Sequence, residues 1–287
     1  MKILVIGASG LVGGQCIKVL SDEYEVLGTH LTFPENNTFY FNPSDSGFLS
    51  QLPSNDWDVI IHTGALTHVD KCEVEVDLSY ISTVISTANL VDYSSRIGAK
   101  FIYLSTDYVF DGKSGPYNEG DTLAPLNVYG THKLAAENII IENSKNYLIF
   151  RITNVYGDEI RSKNFVARII QEIKSGKSEF SAPYDQFATP INACDIARAI
   201  KISLQLNLTG IYHLSSTDYM SRVQLLQKIF EYFPEKDLSV IPLRTADLNQ
   251  VAKRPLLGGL CAAKFISDVP DFQFTNIDNY LKNKRNV

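Results

Sequence analysis

The sequence predicts an α/β protein: a doubly wound parallel sheet flanked by helices, with a smaller α+β part after it. Three observations carry this. Short β-branched or aromatic runs alternate with helical patterns over the first half of the chain. A glycine-rich turn joins the first such run to the first helix. After about Gly157 the alternation is lost. The length of 287 residues suits one large domain or two modest ones.

Residues 2–6 read Lys-Ile-Leu-Val-Ile, apolar on both faces, as a strand buried in a parallel sheet must be. A helix is expected over 11–21, then strands at 24–29, 38–41 and 58–62. A long helical pattern fills 77–97, followed by a strand at 100–105, a helix at 129–143 and a strand at 147–152. Beyond Gly157, 164–175 and 195–206 read as helices, 211–214 as a short strand and 221–230 as a helix. The tail from 242 holds turn formers, Arg254-Pro255 and Gly258-Gly259, and a weak helical pattern at 277–282. The expected division is 1–157 for the sheet, which also receives part of 191–215, and 158–287 for a discontinuous second domain.

Lysine and arginine number 26 against 32 aspartates and glutamates, a net charge of −6, so there is no basic field for a nucleic-acid backbone. No apolar run approaches the roughly 18 residues of a membrane helix, and the N-terminal apolar run is too short for a signal peptide. The expected location is the cytoplasm. Cys16, Cys72, Cys194 and Cys261 share no CxxC spacing and no histidine cluster. They are expected as reduced thiols, and no metal site is expected.

The segment Gly7-Ala8-Ser9-Gly10-Leu11-Val12-Gly13 follows the first strand and opens the first helix. Gly7 permits the tight turn, Gly10 the approach of a pyrophosphate, and Gly13 close helix–strand packing; free N–H groups at the helix start suit phosphate. This position in the first strand–turn–helix unit makes the pattern a dinucleotide site, with Ser9, Leu11 and Val12 beside the glycines. An NAD site commonly has a carboxylate at the end of the second strand. Here the chain reads Val26-Leu27-Gly28-Thr29-His30-Leu31, and no acid, Arg or Lys lies between Val26 and Pro34. NADP(H) is therefore favoured over NAD(H), with Thr29 and His30 as the local polar groups.

Tyr129 and Lys133 are four apart, on one helical face. A free phenol, with a pKa of about 10, is a poor proton donor at neutral pH, and a nearby ammonium brings it toward the working range. The strand at 100–105 runs into Ser105-Thr106-Asp107-Tyr108, at the end where open parallel sheets bind ligands. Side chains alternate along a strand, so only one of Ser105 and Thr106 is best aimed at a substrate.

Together these residues resemble the extended short-chain dehydrogenase/reductases, and within them the dTDP-4-dehydrorhamnose reductase family. The resemblance rests on GASGLVG at 7–13, STDYVFDG at 105–112, Tyr129-x-x-x-Lys133 and the stretch HTGALTHVDKCE at 62–73. It continues, more weakly, in Asn164-Phe165-Val166, Asp185-Gln186, Pro190, Gly210-Ile211-Tyr212-His213 and Arg254-Pro255. It implies a Rossmann-type sheet with a substrate-binding domain, and hydride transfer from NAD(P)H to the C4 ketone of a nucleotide-linked 4-keto-6-deoxy sugar. By the same resemblance Tyr129 gives the proton, Lys133 holds the nicotinamide ribose, and Thr106 binds the keto oxygen. Asn42, Thr63, Gly64 and Ala65 join the cofactor site. Thr67, Val69, Asp107, Tyr108, Asn154, Asn164 and Arg254 share a cleft for the sugar nucleotide, with Arg254 the candidate for its diphosphate.

The chain departs from the family in places. Asn154 lies in Arg151-Ile152-Thr153-Asn154-Val155-Tyr156-Gly157, a form also similar to nucleotide-sugar epimerases and dehydratases. Asn42 stands where an acid is common, Thr83 where the superfamily has a helix Asn, and 256–260 replaces a polar run. Two alternatives stay open: an epimerase or dehydratase of the same fold, and a non-catalytic subunit resembling the methionine adenosyltransferase beta subunit. A homodimer is among the open assemblies.

Overall fold

The computed structural model describes residues 1–159, 161 and 163–285. Its chain order begins β1 (Lys2–Ile6), α1 (Leu11–Leu20), β2 (Glu25–His30), β3 (Thr38–Tyr40), β4 (Val59–His62), α2 (Val69–Val74), α3 (Val76–Tyr80), α4 (Ser86–Ile97) and β5 (Lys100–Thr106). It continues α5 (Val128–Asn143), β6 (Tyr147–Ile152), β7 (Val155–Tyr156), α6 (Phe165–Lys174), β8 (Glu179–Pro183), β9 (Phe187–Ala188), β10 (Ile191–Asn192), α7 (Ala193–Gln205) and β11 (Gly210–His213). The last elements are β12 (Met220–Ser221), α8 (Arg222–Phe230), β13 (Ser239–Leu243), α9 (Ala263–Asp268) and α10 (Ile277–Arg285).

Seven strands form one sheet in the order β11-β6-β5-β4-β1-β2-β3, and every pairing is parallel. The chain leaves β1 toward β3, then returns to β4 on the other side of β1. That reversal is the switch point at which open α/β sheets bind ligands. Strand alternation assigns the two faces. Ile3, Val5, Ile61, Ile102 and Phe150 join the α1 and α7 side, with Cys16, Ile196 and Ile200. Leu4, Ile6, Ile60, Phe101 and Ile149 join the α4 and α5 side, with Leu90, Ala136 and Ile140. Because both faces are covered, the middles of these strands are apolar and their polar residues gather toward the strand ends. A further apolar cluster lies among α6, α8, α10 and β8, with Ile169, Phe180, Leu226 and Leu281 at its centre.

The helical pattern expected across 77–97 is interrupted. Between α3 and α4, residues Ile81–Ile85 form a π turn. Its cause is local: Ser86 Oγ donates to the Ser82 carbonyl at 2.8 Å and Thr87 Oγ1 to that of Thr83 at 2.6 Å. Such back-bonded hydroxyls compete with the helix ladder and widen it. The parallel pair β8–β13 and the helices α2 and α9 were not expected from sequence. These segments are short and mixed in polarity, and long-range pairing decides them.

Candidate active site

The turn after β1 leaves no room for side chains. A Cβ on Gly13 would stand 2.3 Å from the Gly7 carbonyl oxygen, and one on Gly7 would stand 2.9 Å from the Gly64 nitrogen. Gly7 also has φ +82°, which favours glycine. Thr29 Oγ1 accepts from the Gly7 N–H at 3.1 Å, and Thr63 Oγ1 donates to the Ile6 carbonyl at 2.8 Å. Both hydroxyls thus hold the turn's shape. No side chain caps α1 at Gly10, so its first N–H groups are left for a ligand. Ser9, Gly10 and Leu11 line a cavity of about 260 Å³ there; Val12 follows on the helix. Gly64 and Ala65 run along the adjoining edge after β4.

At the end of β2, His30 Nδ1 lies 2.8 Å from Thr38 Oγ1. Asn42 is bound within its own loop: its Nδ2 donates to Asp45 Oδ1 at 2.6 Å and its Oδ1 accepts from Ser44 N at 3.1 Å. The cations missing from the local sequence arrive from far along the chain. Arg161 donates to the Ser9 carbonyl at 2.6 Å and lies 4.8 Å from the Phe33 ring centroid; Lys163 Nζ lies 4.7 Å from the same ring.

Asn127 caps α5, its side chain accepting from the Gly130 N–H at 2.9 Å, and so places Tyr129 in the first turn. A Cβ on Gly130 would stand 2.2 Å from the Tyr108 carbonyl oxygen, so the helix lies directly against the end of β5. The Tyr108 ring meets that of Tyr129 edge-on at 5.6 Å. Strand alternation separates the two hydroxyls. Ser105 donates to Glu137 of α5, whereas Thr106 Oγ1 accepts from Tyr108 N at 3.2 Å and donates to Asp107 Oδ1 at 3.3 Å.

The electrostatics of the pair differ from expectation. Burial raises the Tyr129 phenol above its ordinary value, with the Thr106 hydroxyl partly offsetting it. Lys133 does not lower it: Nζ donates to the Leu104 carbonyl at 2.5 Å and lies 4.0 Å from the Tyr103 ring centroid. Burial brings Lys133 itself down to about 7, and Glu137, four residues on, opposes that. Tyr129 is therefore a neutral phenol that holds its proton. Below the site, Arg151 and Glu137 form a fully buried ion pair, with Nη2 to Oε2 at 2.7 Å and Nε to Oε1 at 3.0 Å.

The expected sugar-nucleotide residues divide. Thr67 and Asn154 line a cavity of about 320 Å³ with Phe165, Lys163 and Arg222. Tyr108 is beside Tyr129. Val69 begins α2. Asp107 is buried, accepting from Thr153 Oγ1 at 2.7 Å and Gly259 N at 3.3 Å, and burial raises its carboxyl. Asn164 is instead the cap of α6: Oδ1 accepts from Ala167 N at 3.0 Å, and Nδ2 donates to the Gly157 carbonyl. Arg254 is committed to Asp70 at 2.8 Å and to the Ala252 carbonyl at 2.9 Å.

The sequence reading missed Arg222, Lys163, Phe165 and Arg161. For Arg222 a signal existed: residues three and four further on are Leu225 and Leu226, so the arginine shares the helix's apolar face. Among the described residues no group of acids, histidines and cysteines could hold a metal ion, and no helix is long and apolar enough to cross a membrane.

With the reversal point of the sheet, its glycine turn and the Tyr129 helix gathered on one edge, the class is that of the extended short-chain dehydrogenase/reductases. The chain belongs to the RmlD substrate binding domain family, which it matches over residues 1–276. It is 31% identical to the dTDP-4-dehydrorhamnose reductase of Escherichia coli (strain K12), over 95% of each chain. It is 29% identical to methionine adenosyltransferase 2 subunit beta of Xenopus tropicalis, over 78% of this chain and 70% of that one. Among solved structures, a dTDP-4-dehydrorhamnose reductase from Bacillus anthracis str. Ames in complex with NADP superimposes with a TM-score of 0.87. Its identity is 29%, and the match covers 98% of this chain and 97% of that one.

Proposed function

We propose that the protein is an NAD(P)H-dependent reductase of the C4 ketone in a nucleotide-linked 4-keto-6-deoxy sugar, as its relatives named dTDP-4-dehydrorhamnose reductase are. The observation that carries this is geometric: at the open end of β5 the Tyr129 phenol stands beside the Thr106 hydroxyl, with the Tyr108 ring edge-on to it. A ketone becoming an alcohol needs an acid at that place.

The residues fit NADP(H). The glycine turn leaves helix N–H groups for a pyrophosphate. The end of β2 has no acid, and Arg161 and Lys163 flank Phe33 close by, suiting a 2′-phosphate. When bound, the nicotinamide supplies the hydride. Tyr129 holds the proton that the alkoxide takes, and Thr106 hydrogen-bonds the same oxygen as its charge grows. Lys133 exchanges the Leu104 carbonyl for ribose hydroxyls. Asp107, through Thr153 and Gly259, fixes the floor under Thr106. In this reading residues 1–157, with part of 191–215, serve the cofactor together with Arg161 and Lys163, the rest of 158–287 serves the sugar, and the protein works in the cytoplasm.

The test is NADPH oxidation by the purified protein with dTDP-4-keto-6-deoxy sugars. Stoichiometric consumption is expected; an epimerase would recycle its cofactor. Tyr129→Phe keeps the ring and removes the acid, and should depress kcat by about 10²–10⁴-fold. A wild-type rate in that variant would end this mechanism. The likeness to methionine adenosyltransferase 2 subunit beta supports a second reading, as a regulatory partner. Absence of turnover with every nucleotide sugar, together with co-purification of a partner enzyme, would favour it.

A further inference from the structure

The cleft cavity contains a cation that forms no ion pair among the described residues. Arg222 begins α8 and reaches into the space lined by Thr67, Asn154, Lys163 and Phe165. Its partner among the described residues is a neutral one: Nη2 donates to Asn154 Oδ1 at 2.5 Å. Its guanidinium lies 4.8 Å from the Phe165 ring centroid, and no carboxylate of the described residues pairs with it. Asn154 presents that oxygen from a backbone at φ +40°, a conformation few residues adopt. A desolvated charge with a single neutral partner is costly, and is retained where a ligand completes it. The guanidinium has five N–H donors, so most remain for a multi-oxygen anion.

We infer that Arg222 is the site for the diphosphate of the nucleotide substrate. Arg254, the cation the sequence suggested, is already neutralised by Asp70 at 2.8 Å. The Phe165 ring, 4.8 Å away, keeps the guanidinium's plane in place. The site is within electrostatic reach of Tyr108 and Asp107, so it lies next to the sugar end of the cleft. The inference deepens the reductase reading and rests on it for the substrate's class.

Calorimetry on the NADPH-loaded protein tests it with dTDP and thymidine as probes. Arg222→Gln should weaken dTDP by about 10–100-fold, a loss of about 1.4 kcal/mol per tenfold, and leave thymidine and NADPH affinities unchanged. Arg222→Lys should recover part of the dTDP loss, because it restores the charge but not the fork. Unchanged dTDP affinity in Arg222→Gln, an equal loss for thymidine, or no dTDP binding by the wild-type protein would overturn the assignment. A wild-type protein that binds dTDP through Arg222 but oxidises no NADPH with 4-keto sugars would leave the anion site standing and remove the reductase reading.

Discussion

At the scale of single residues, the chemistry turns on which way each polar group faces. That Tyr129 and Lys133 share a helix face, and that Ser105 and Thr106 face apart, was legible because helical spacing and strand alternation are local rules. Their electrostatics were not, because burial depends on the whole fold. Lys133 is the sharpest case. Its ammonium faces the Leu104 carbonyl, and burial brings it to about 7 in the cofactor-free protein. Below that value it is charged and can donate to ribose hydroxyls; above it the amine loses a donor and its charge. NADPH affinity should therefore fall as pH rises through about 7, measured by calorimetry across one unit on either side. Removing the negative charge of Glu137 with Glu137→Gln should move that fall to lower pH, since Glu137 supports the ammonium. A flat profile would show that Lys133 does not hold the cofactor. Arg161 and Arg222 escaped the sequence reading for a different reason: their contacts with Ser9 and Asn154 join segments far apart in the chain.

At the scale of elements, the sheet was readable and its attachments were not. The strand runs were long, apolar and β-branched; β8 and β13 are short and become a pair only through each other. The π turn at Ile81–Ile85 was hidden because Ser and Thr are helix-compatible until their hydroxyls back-bond. The join between α5 and β6 is the buried Arg151–Glu137 pair, which also accepts Ser105 at the end of β5. Arg151→Met leaves Glu137 buried and unpaired, so it should cost about 3–5 kcal/mol in urea unfolding. Adding Glu137→Leu should restore much of that loss, since an apolar pair can replace a buried ion pair. If Arg151→Met cost less than about 1 kcal/mol, the pair would not be what joins these elements.

At the scale of the whole molecule, two histidines are buried in uncharged form. Burial brings His62 and His213 down to about 3. His213 donates from Nδ1 to the Tyr117 carbonyl at 2.9 Å and faces Arg151 Nη1 with Nε2 at 3.4 Å, so it has no place for a second proton. In the unfolded chain both titrate at about 6.5. Between these values the unfolded chain binds more protons, so stability is full above about 6.5 and is lost as pH falls. Each histidine adds a slope of about 1.4 kcal/mol per pH unit. Chemical denaturation at pH steps below 6.5 should show this, and His213→Gln should remove one histidine's share. A slope unchanged by that variant would assign the acid sensitivity elsewhere.

One feature of the sheet also bears on how the protein is made. The edge strand β11 completes the sheet beside β6, although β6 ends at Ile152 and β11 begins only at Gly210. During synthesis, β6 therefore leaves the ribosome with its outer row of N–H and C=O groups unpaired, and stays so until the segment 153–209 has followed. That interval is the nascent chain's most vulnerable one, because an open parallel edge can recruit a neighbouring copy. A message cut short before the codons of β11 would yield a chain that keeps its tyrosine and lysine but leaves the outer edge of β6 open.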